Sequence, residues 1–196
     1  MSEPHASLEK LKIGQAALRS ADWVDARNAF AAALEGADTP EAHDGLAIAL
    51  WWLNEIDAAH YHRTLAYKGF MAQGANGHAA TIACWLAREQ VFLHGNTLAM
   101  QGWFARADRL LEALESPVET AWCQILRASV VASPQEMVVA APHIIATARA
   151  HGAAGLEAFA LAFYGQALVG IGQVGRGMAR LDEAMTMTTS GEVGDY

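Results

Sequence analysis

The chain has 196 residues, of which 53% are apolar and 17% are charged, and its net charge is −8. This balance provides the core of one folded domain or one repeat array and excludes a disordered chain. No run of lysine and arginine occurs, and an acidic surface repels a phosphate backbone. We therefore expect a single domain over residues 1–196 that makes no direct contact with nucleic acid.

Membrane and export signals are not visible in the sequence. Apolar residues never run unbroken for the ~18 positions that a membrane-spanning helix needs. The first residues carry neither the basic flank nor the apolar stretch of a signal peptide. We predict a cytoplasmic protein without a membrane partner, in which Cys84 and Cys123 are buried free thiols.

Helix signals follow one another along the chain, and strand alternation is hard to find. Thr39 and Pro40 offer an N-cap and a first-turn proline, and residues 116–119 (SPVE) and 133–136 (SPQE) both read as capping boxes. Pro142 is expected to kink or divide the eighth helix. Glycine stop signals stand at Gly36, Gly74, Gly95, Gly152 and Gly172. The predicted helices cover residues 6–19, 22–35, 40–54, 56–73, 77–94, 97–114, 117–131, 134–151, 154–171 and 173–189.

The first and last pairs of helices share one spacing of small and large residues. In both, a small residue is followed 12, 4 and 3 positions later by a small, a large apolar and a small residue. The members are Gly14, Ala26, Phe30 and Ala33 in the first pair and Gly165, Gly177, Leu181 and Ala184 in the last. Small residues let two helix backbones approach closely, so each pair should form a tight hairpin.

This spacing resembles that of the tetratricopeptide repeat. The second pair is similar, with Ala59 and Ala66 at the small positions but Arg63 at the large one. The middle pairs are longer than the family's repeat and lack its closing proline, which leaves their register open. The resemblance implies an all-α, tetratricopeptide-like α-solenoid of about ten antiparallel helices in five hairpins.

A second resemblance is to the helical-repeat region of large bacterial LuxR-type transcriptional regulators. It is carried by residues 22–27 (DWVDAR), 39–42 (TPEA), 45–47 (GLA), 49–53 (ALWWL), 102–107 (GWFARA) and 109–111 (RLL). Those regulators end in a helix-turn-helix module, and nothing like that module is visible here. The resemblance implies a sensory or scaffold domain of a transcriptional regulator, either as a fragment or as a stand-alone relative.

The last helix shows an apolar stripe of Val174, Met178, Leu181 and Met185. Each hairpin of a solenoid buries one face on the next, and residues 191–196 are a short tail that is not expected to cover this stripe. We therefore predict either a further repeat or a homodimer through the last helix.

Motifs for catalysis, metals and cofactors are weak. Residues 170–175 (GIGQVG) match a dinucleotide fingerprint but follow a helix, so a turn between two helices is the better interpretation. His60 and His62 are two positions apart on a helix and point to different sides. No nucleophile, base and orienting group assemble at workable spacing, and we expect neither a cofactor nor an enzyme.

Aromatic residues of the central hairpins are the best candidates for function. If Ala59 and Ala66 set the register, the third helix presents its acidic and aromatic side chains near the concave side. The tandem tryptophans point about 100° apart, so one can serve the core while the other reaches the groove. Two carboxylates three positions apart suit either a paired role or a solvated face. The candidate site comprises Glu41, Asp44, Ile48, Trp51, Trp52, Tyr61 and Trp85.

Two binding functions remain open for this acidic, aromatic groove. The first is a protein-interaction module that binds a partner segment, with a basic peptide as the expected chemistry. The second is a receptor in which the central tryptophans enclose an apolar or cationic small molecule.

Overall fold

The computed structural model describes residues 3–190 and 193 of the chain. Within these residues the chain is all-α and folds into ten helices. They are α1 (Glu3–Arg19), α2 (Trp23–Leu34), α3 (Pro40–Trp52), α4 (Ile56–Gln73), α5 (Asn76–His94), α6 (Thr97–Leu111), α7 (Pro117–Val131), α8 (Pro134–Ala150), α9 (Ala154–Gly170) and α10 (Val174–Thr189). The predicted all-α array of about ten helices is confirmed, and every boundary agrees to within three residues.

Two of the three predicted helix starts form their caps. The Thr39 hydroxyl accepts from the Ala42 amide, and Ser133 forms a complete capping box with Glu136. The predicted box at Ser116 is wrong, because its hydroxyl makes no capping bond and the Glu119 side chain lies against Gly77 of α5 instead.

The sequence predicts that Pro142 either kinks or divides the eighth helix. The helix α8 runs from Pro134 to Ala150 as one element, so the proline does not divide it.

Residues 170–175 form the turn between α9 and α10, as predicted, with Gly172 at a positive φ of 85°.

Small residues close the first and last hairpins as their spacing predicts. A Cβ atom on Gly14 would lie 2.8 Å from the Phe30 ring, so the ring occupies the space that a side chain would need. In the last hairpin, a Cβ atom on Gly177 would lie 2.6 Å from the carbonyl oxygen of Gly165. The backbones of α9 and α10 therefore approach closely, and only glycine fits at their crossing.

All five second helices carry the same spacing at their inner positions, including those whose register the sequence left open. A large residue follows the first member after four positions, and a small residue follows it after three more. All members are buried except Leu181, which is half-buried. The five sets are Ala26, Phe30 and Ala33; Ala59, Arg63 and Ala66; Met100, Phe104 and Ala107; Ala141, Ile145 and Ala148; and Gly177, Leu181 and Ala184.

Successive hairpins stack through the second helix of one and the first helix of the next. This contact joins α2 to α3, α4 to α5 and α8 to α9. The stacking changes between the third and fourth hairpins, where α7 packs mainly on α5 and barely touches α6. The first helices α5, α7 and α9 thus lie side by side.

Aromatic rings of the first helices α5, α7 and α9 meet on one side of the array. The Trp85 ring of α5 and the Phe159 ring of α9 are 5.7 Å apart, although α7 packs between the two helices. From this contact between rings of the two outer helices we infer that the three helices curve around a common, concave inner side. Trp122 of α7 completes this cluster at 5.5 Å from Phe159.

Both cysteines are buried and unoxidised, as predicted, but they are neighbours in space. A hydrogen bond with the Cys123 thiol, together with burial, raises the pKa of the Cys84 thiol. The two thiols are part of the core between α5 and α7.

Across the described residues, none of the helices combines the length and apolar character that crossing a bilayer requires.

Candidate functional site

Rings and guanidinium groups alternate along the concave side. The Arg63 guanidinium carbon of α4 lies 5.9 Å from the ring centre of Trp51 and 5.5 Å from that of Trp85. The Arg88 guanidinium carbon lies 5.3 Å from the same Trp85 ring. We call Trp51, Arg63, Trp85 and Arg88 the inner-face ladder. It joins helices α3, α4 and α5 through cation–π contacts.

Arg63 is buried in the ladder because a carboxylate neutralises it. Glu89 of α5 is also buried and forms an ion pair with the Arg63 Nη1. The second oxygen of Glu89 lies 2.7 Å from His60 Nδ1, and this hydrogen bond raises the pKa of His60. Arg63 Nε is enclosed without a hydrogen-bond partner, and it is the one such side-chain atom among the described residues.

Arg88 has a different environment, with rings around it and no ion pair to a carboxylate of the described residues. Its guanidinium carbon lies 5.2 Å from the Phe92 ring centre and 5.8 Å from those of Phe159 and Phe163 on α9. Its Nη1 donates a hydrogen bond to the Ser129 hydroxyl of α7. Burial and the repulsive charge of Arg63 lower the pKa of Arg88 to about 10.

The acidic residues of α3 lie on one helix face with the first ring of the ladder. Glu41, Asp44, Ile48 and Trp51 follow one another at spacings of 3, 4 and 3. Glu41 is exposed, and Ile48 and Trp51 pack against the core of the first two hairpins.

Asp44 is half-buried and is not a plain solvated carboxylate. It has no hydrogen bond or ion pair with another described side chain. Burial raises the pKa of Asp44, while the nearby positive charge of Arg63 opposes this rise. The end of the ladder near Trp51 thus holds an acidic group that lacks a neutralising contact.

The structure places Trp52 and Tyr61 away from the ladder, in separate contacts. Trp52 is 58% exposed and stacks on Trp23 of α2, with ring centres 5.2 Å apart. Tyr61 is 60% exposed and lies edge-on to His62 at 5.2 Å. Of the seven predicted site residues, the ladder therefore contains Trp51 and Trp85.

His62 belongs to a second polar cluster, on the other side of α4 from His60. His62 Nδ1 lies 2.8 Å from His43 Nδ1, and His43 Nε2 lies 2.8 Å from Asp38. Burial and the neighbouring His43 lower the pKa of His62. The prediction that His60 and His62 point to different sides is confirmed.

Two clefts of the surface lie away from the ladder. Two open clefts of about 340 and 300 Å³ are lined by residues of α7 and α8 and by residues around Pro40, respectively, and neither includes a tryptophan. No group of three or more metal-ligating side chains occurs in the part of the chain that the structure describes.

The fold and the inner face together define an all-α helical-repeat protein with an open concave surface of alternating rings and charges. Comparison of the chain with protein-family models, with curated proteins and with solved structures gives no significant match. The geometry of the inner face is therefore the basis for inferring the function.

Proposed function

We propose that this protein is a non-catalytic binding module whose concave face receives a segment of a protein or peptide partner. The observation that carries this proposal is the inner-face ladder, in which aromatic and charged side chains of three helices form one continuous strip. Aromatic and arginine side chains at the centre of a concave surface are the groups that most often dominate binding energy.

The open form of this surface favours an extended segment. A small ligand is usually enclosed in a pocket that buries most of its surface. The two clefts described above lie elsewhere, and the ladder instead runs across α3, α4 and α5. A basic group of the partner would meet Glu41 and Asp44 beside the Trp51 ring, where no described cation pairs with Asp44.

A small-molecule receptor is the second candidate, and one observation favours it. Arg88 is a half-buried cation among four rings with no carboxylate beside it among the described residues. Such a group can hold a ligand that is polar at one end and apolar at the other. This receptor would use Trp51 and Trp85 rather than Trp52, because Trp52 stacks on Trp23.

The biological setting that we propose is the cytoplasm, as the sensory or scaffold domain of a LuxR-like transcriptional regulator without a cofactor. The support is the resemblance of the segments given above, and the binding event would be relayed to a DNA-binding module. Sequencing the coding region beyond Tyr196 tests this setting. A helix-turn-helix module there supports it, and an immediate stop codon contradicts the regulator role.

The binding proposal is tested by selecting peptides from a random, terminally blocked library on the folded protein. Trp85→Ala is expected to weaken the selected peptides at least tenfold, because removal of a central aromatic anchor commonly costs about 2 kcal/mol of binding energy. Trp52→Ala is the matched control, since it removes an exposed tryptophan outside the ladder. Peptides that lose affinity equally in both variants, or in neither, contradict the proposal.

A further inference from the structure

The hydrogen-bonding capacity of Arg88 is largely unused. A guanidinium carries five N–H donors in a planar fork. Only Nη1 has a partner, the Ser129 hydroxyl, within the described residues. Nε and Nη2 make no hydrogen bond to any described residue. Neither atom is enclosed, because Arg63 Nε is the single enclosed side-chain atom without a partner in the described part of the chain.

The free donors of Arg88 share one edge of the guanidinium. Nε–H and one Nη2–H are parallel, and this edge binds both oxygens of a carboxylate in the bidentate arrangement. The bond to Ser129 holds Nη1 in place, so the side chain is already oriented before a ligand arrives. Preorganisation of this kind reduces the entropy that binding would otherwise cost.

The charges around Arg88 also favour an anion. Glu89 is its neighbour in sequence, but both oxygens of Glu89 are engaged by Arg63 and His60. The positive charge of Arg63 destabilises the Arg88 cation, in addition to the effect of burial. A half-buried charge without a counterion is costly, and an incoming anion would remove that cost.

The surroundings of Arg88 select among anions. Four aromatic rings border it, and one of them, Phe92, is 59% exposed. A dianion such as phosphate would need a second free cation, but Arg63 is already neutralised by Glu89. A singly charged carboxylate with an apolar body fits both the one free guanidinium edge and the exposed ring.

We propose that Arg88, with Phe92, Phe159 and Phe163 beside it, binds a carboxylate group carried on an apolar body. The carboxylate accepts from Nε and Nη2, and the apolar body lies on Phe92. The same chemistry occurs in a free organic acid and in an acidic side chain of a peptide. If the ligand is an acidic side chain of a peptide, the inference rests on the proposed function. If the ligand is a free organic acid, the inference does not depend on that function.

The probe for this site is 3-phenylpropanoate at constant ionic strength, followed by the NMR shifts of the tryptophan indole groups. Its neutral isostere 3-phenylpropanamide and inorganic phosphate are the comparison ligands. We expect saturable shifts at Trp85 with the acid and at least tenfold weaker binding of the amide and of phosphate, since charge-assisted bidentate bonds are lost or mismatched. Equal affinities for acid and amide would overturn the proposal.

Two variants assign the binding to Arg88. Arg88→Met retains much of the side-chain volume and is expected to weaken 3-phenylpropanoate at least tenfold. The matched control is Arg106→Met, which removes an exposed arginine that lies 4.7 Å from the Trp103 ring. If Arg88→Met does not fold, Phe92→Ala replaces it, because an exposed ring contributes little to folding. Binding that is unchanged in Arg88→Met or its replacement Phe92→Ala, or equally weakened in Arg106→Met, would overturn the proposal.

Two blocked peptides distinguish the sources of the carboxylate. Acetyl-Phe-Glu-Phe-amide is compared with acetyl-Phe-Gln-Phe-amide, each on the wild type and on Arg88→Met. Tighter binding of the Glu peptide than of the free acid, with loss in Arg88→Met, assigns a peptide ligand. Binding of the free acid alone retains the carboxylate site and counts against the peptide function. Failure of both carboxylate probes, 3-phenylpropanoate and the Glu peptide, would overturn the carboxylate site itself.

Discussion

The helices α4 and α10 are the second helices of their hairpins, but they carry different types of residue at one equivalent position. In α10, Leu181 lies between Gly177 and Ala184 and packs on Gly165 of α9. In α4, Arg63 lies at the same spacing between Ala59 and Ala66 and pairs with Glu89 of α5. The same spacing therefore serves two purposes. In the last hairpin it packs an apolar side chain between two helices, and between the second and third hairpins it places a buried ion pair.

The largest expected effect comes from breaking this buried ion pair. Glu89→Leu leaves the Arg63 guanidinium buried without a counterion, and the free energy of unfolding should fall by about 3–5 kcal/mol. The double variant Arg63→Met with Glu89→Leu should recover most of this loss, because no charge then remains buried. Urea unfolding of both single variants and the double variant measures the coupling. A double variant no more stable than Glu89→Leu would contradict a buried pair.

The second largest effect is expected from a substitution where the glycines of α9 and α10 let the two backbones cross closely. Gly177→Ala places a Cβ atom 2.6 Å from the Gly165 carbonyl oxygen, so α9 and α10 must separate. We expect a loss of about 1–3 kcal/mol in the free energy of unfolding.

The control for this substitution is Gly102→Ala, in the middle of α6. No atom lies within 4 Å of a Cβ built at Gly102, so alanine is expected to stabilise the helix by about 0.5–1 kcal/mol. Thermal unfolding of both variants checks the contrast. Similar changes in the two proteins would show that helix propensity, and not the crossing, determines the effect.

A smaller effect distinguishes the two polar clusters of α4 by pH. The pKa of His60 is raised above its usual value of 6.5 by the Glu89 hydrogen bond, so its contribution to stability is fully present below pH 6.5. That contribution is lost as the pH rises through the folded-state pKa. The pKa of His62 is lowered from 6.5 by burial, so its contribution is present above pH 6.5 and is lost as the pH falls.

The variants His60→Gln and His62→Gln separate these opposite trends. Unfolding free energies between pH 5 and pH 8 are measured for each variant and for the wild type. Relative to wild type, His60→Gln should be most destabilised at the acid end, and His62→Gln should be most destabilised at the alkaline end. The same trend in both variants would contradict the two environments described for α4.

The smallest expected effect concerns the outer face of α10. Val174, Met178 and Met185 are 54%, 48% and 66% exposed, while Leu181 is half-buried against α9. Of the short tail that the sequence predicts not to cover this stripe, Val193 is buried, and residues 191, 192 and 194–196 lie outside the described residues. We expect weak homodimerisation that Met178→Gln with Met185→Gln abolishes. Sedimentation that finds a strict monomer of the wild type at high concentration would contradict it.

Local signals were enough to predict the helices. Capping residues such as Thr39 and Ser133, prolines in the first turn and positive-φ glycines fix where a helix begins or ends, and these depend only on neighbouring residues. The exception is Ser116, where the Glu119 side chain packs on Gly77 of another helix. At that position a contact with another helix takes the place of the local capping bond.

The register of the middle hairpins could not be predicted, because it depends on which residues the neighbouring hairpin buries. Met100, Phe104 and Ala107 keep the spacing of the other hairpins, but methionine stands where a small residue was expected. Its place in the series follows only from its burial in the core cluster that α6 shares with α5 and α7.

The candidate site was predicted only in part for a similar reason. Trp51, Trp85 and the partly buried Asp44 lie near one another around Arg63. Arg88, Glu89 and Phe159 were missed, because the curvature that brings α5 and α9 together has no signal within one helix. One clue was present, since Arg63 stands at a position that other hairpins fill with an apolar residue.

The measurement that tests the central claim most directly is the nuclear Overhauser effect between the rings of Trp85 and Phe159. These rings are 74 positions apart in sequence and 5.7 Å apart in space. A concave face formed by α5, α7 and α9 predicts strong cross-peaks between their ring protons, together with cross-peaks from Trp122 to Phe159. Assigned spectra that lack both sets of cross-peaks would show that the helices do not curve around a common inner face.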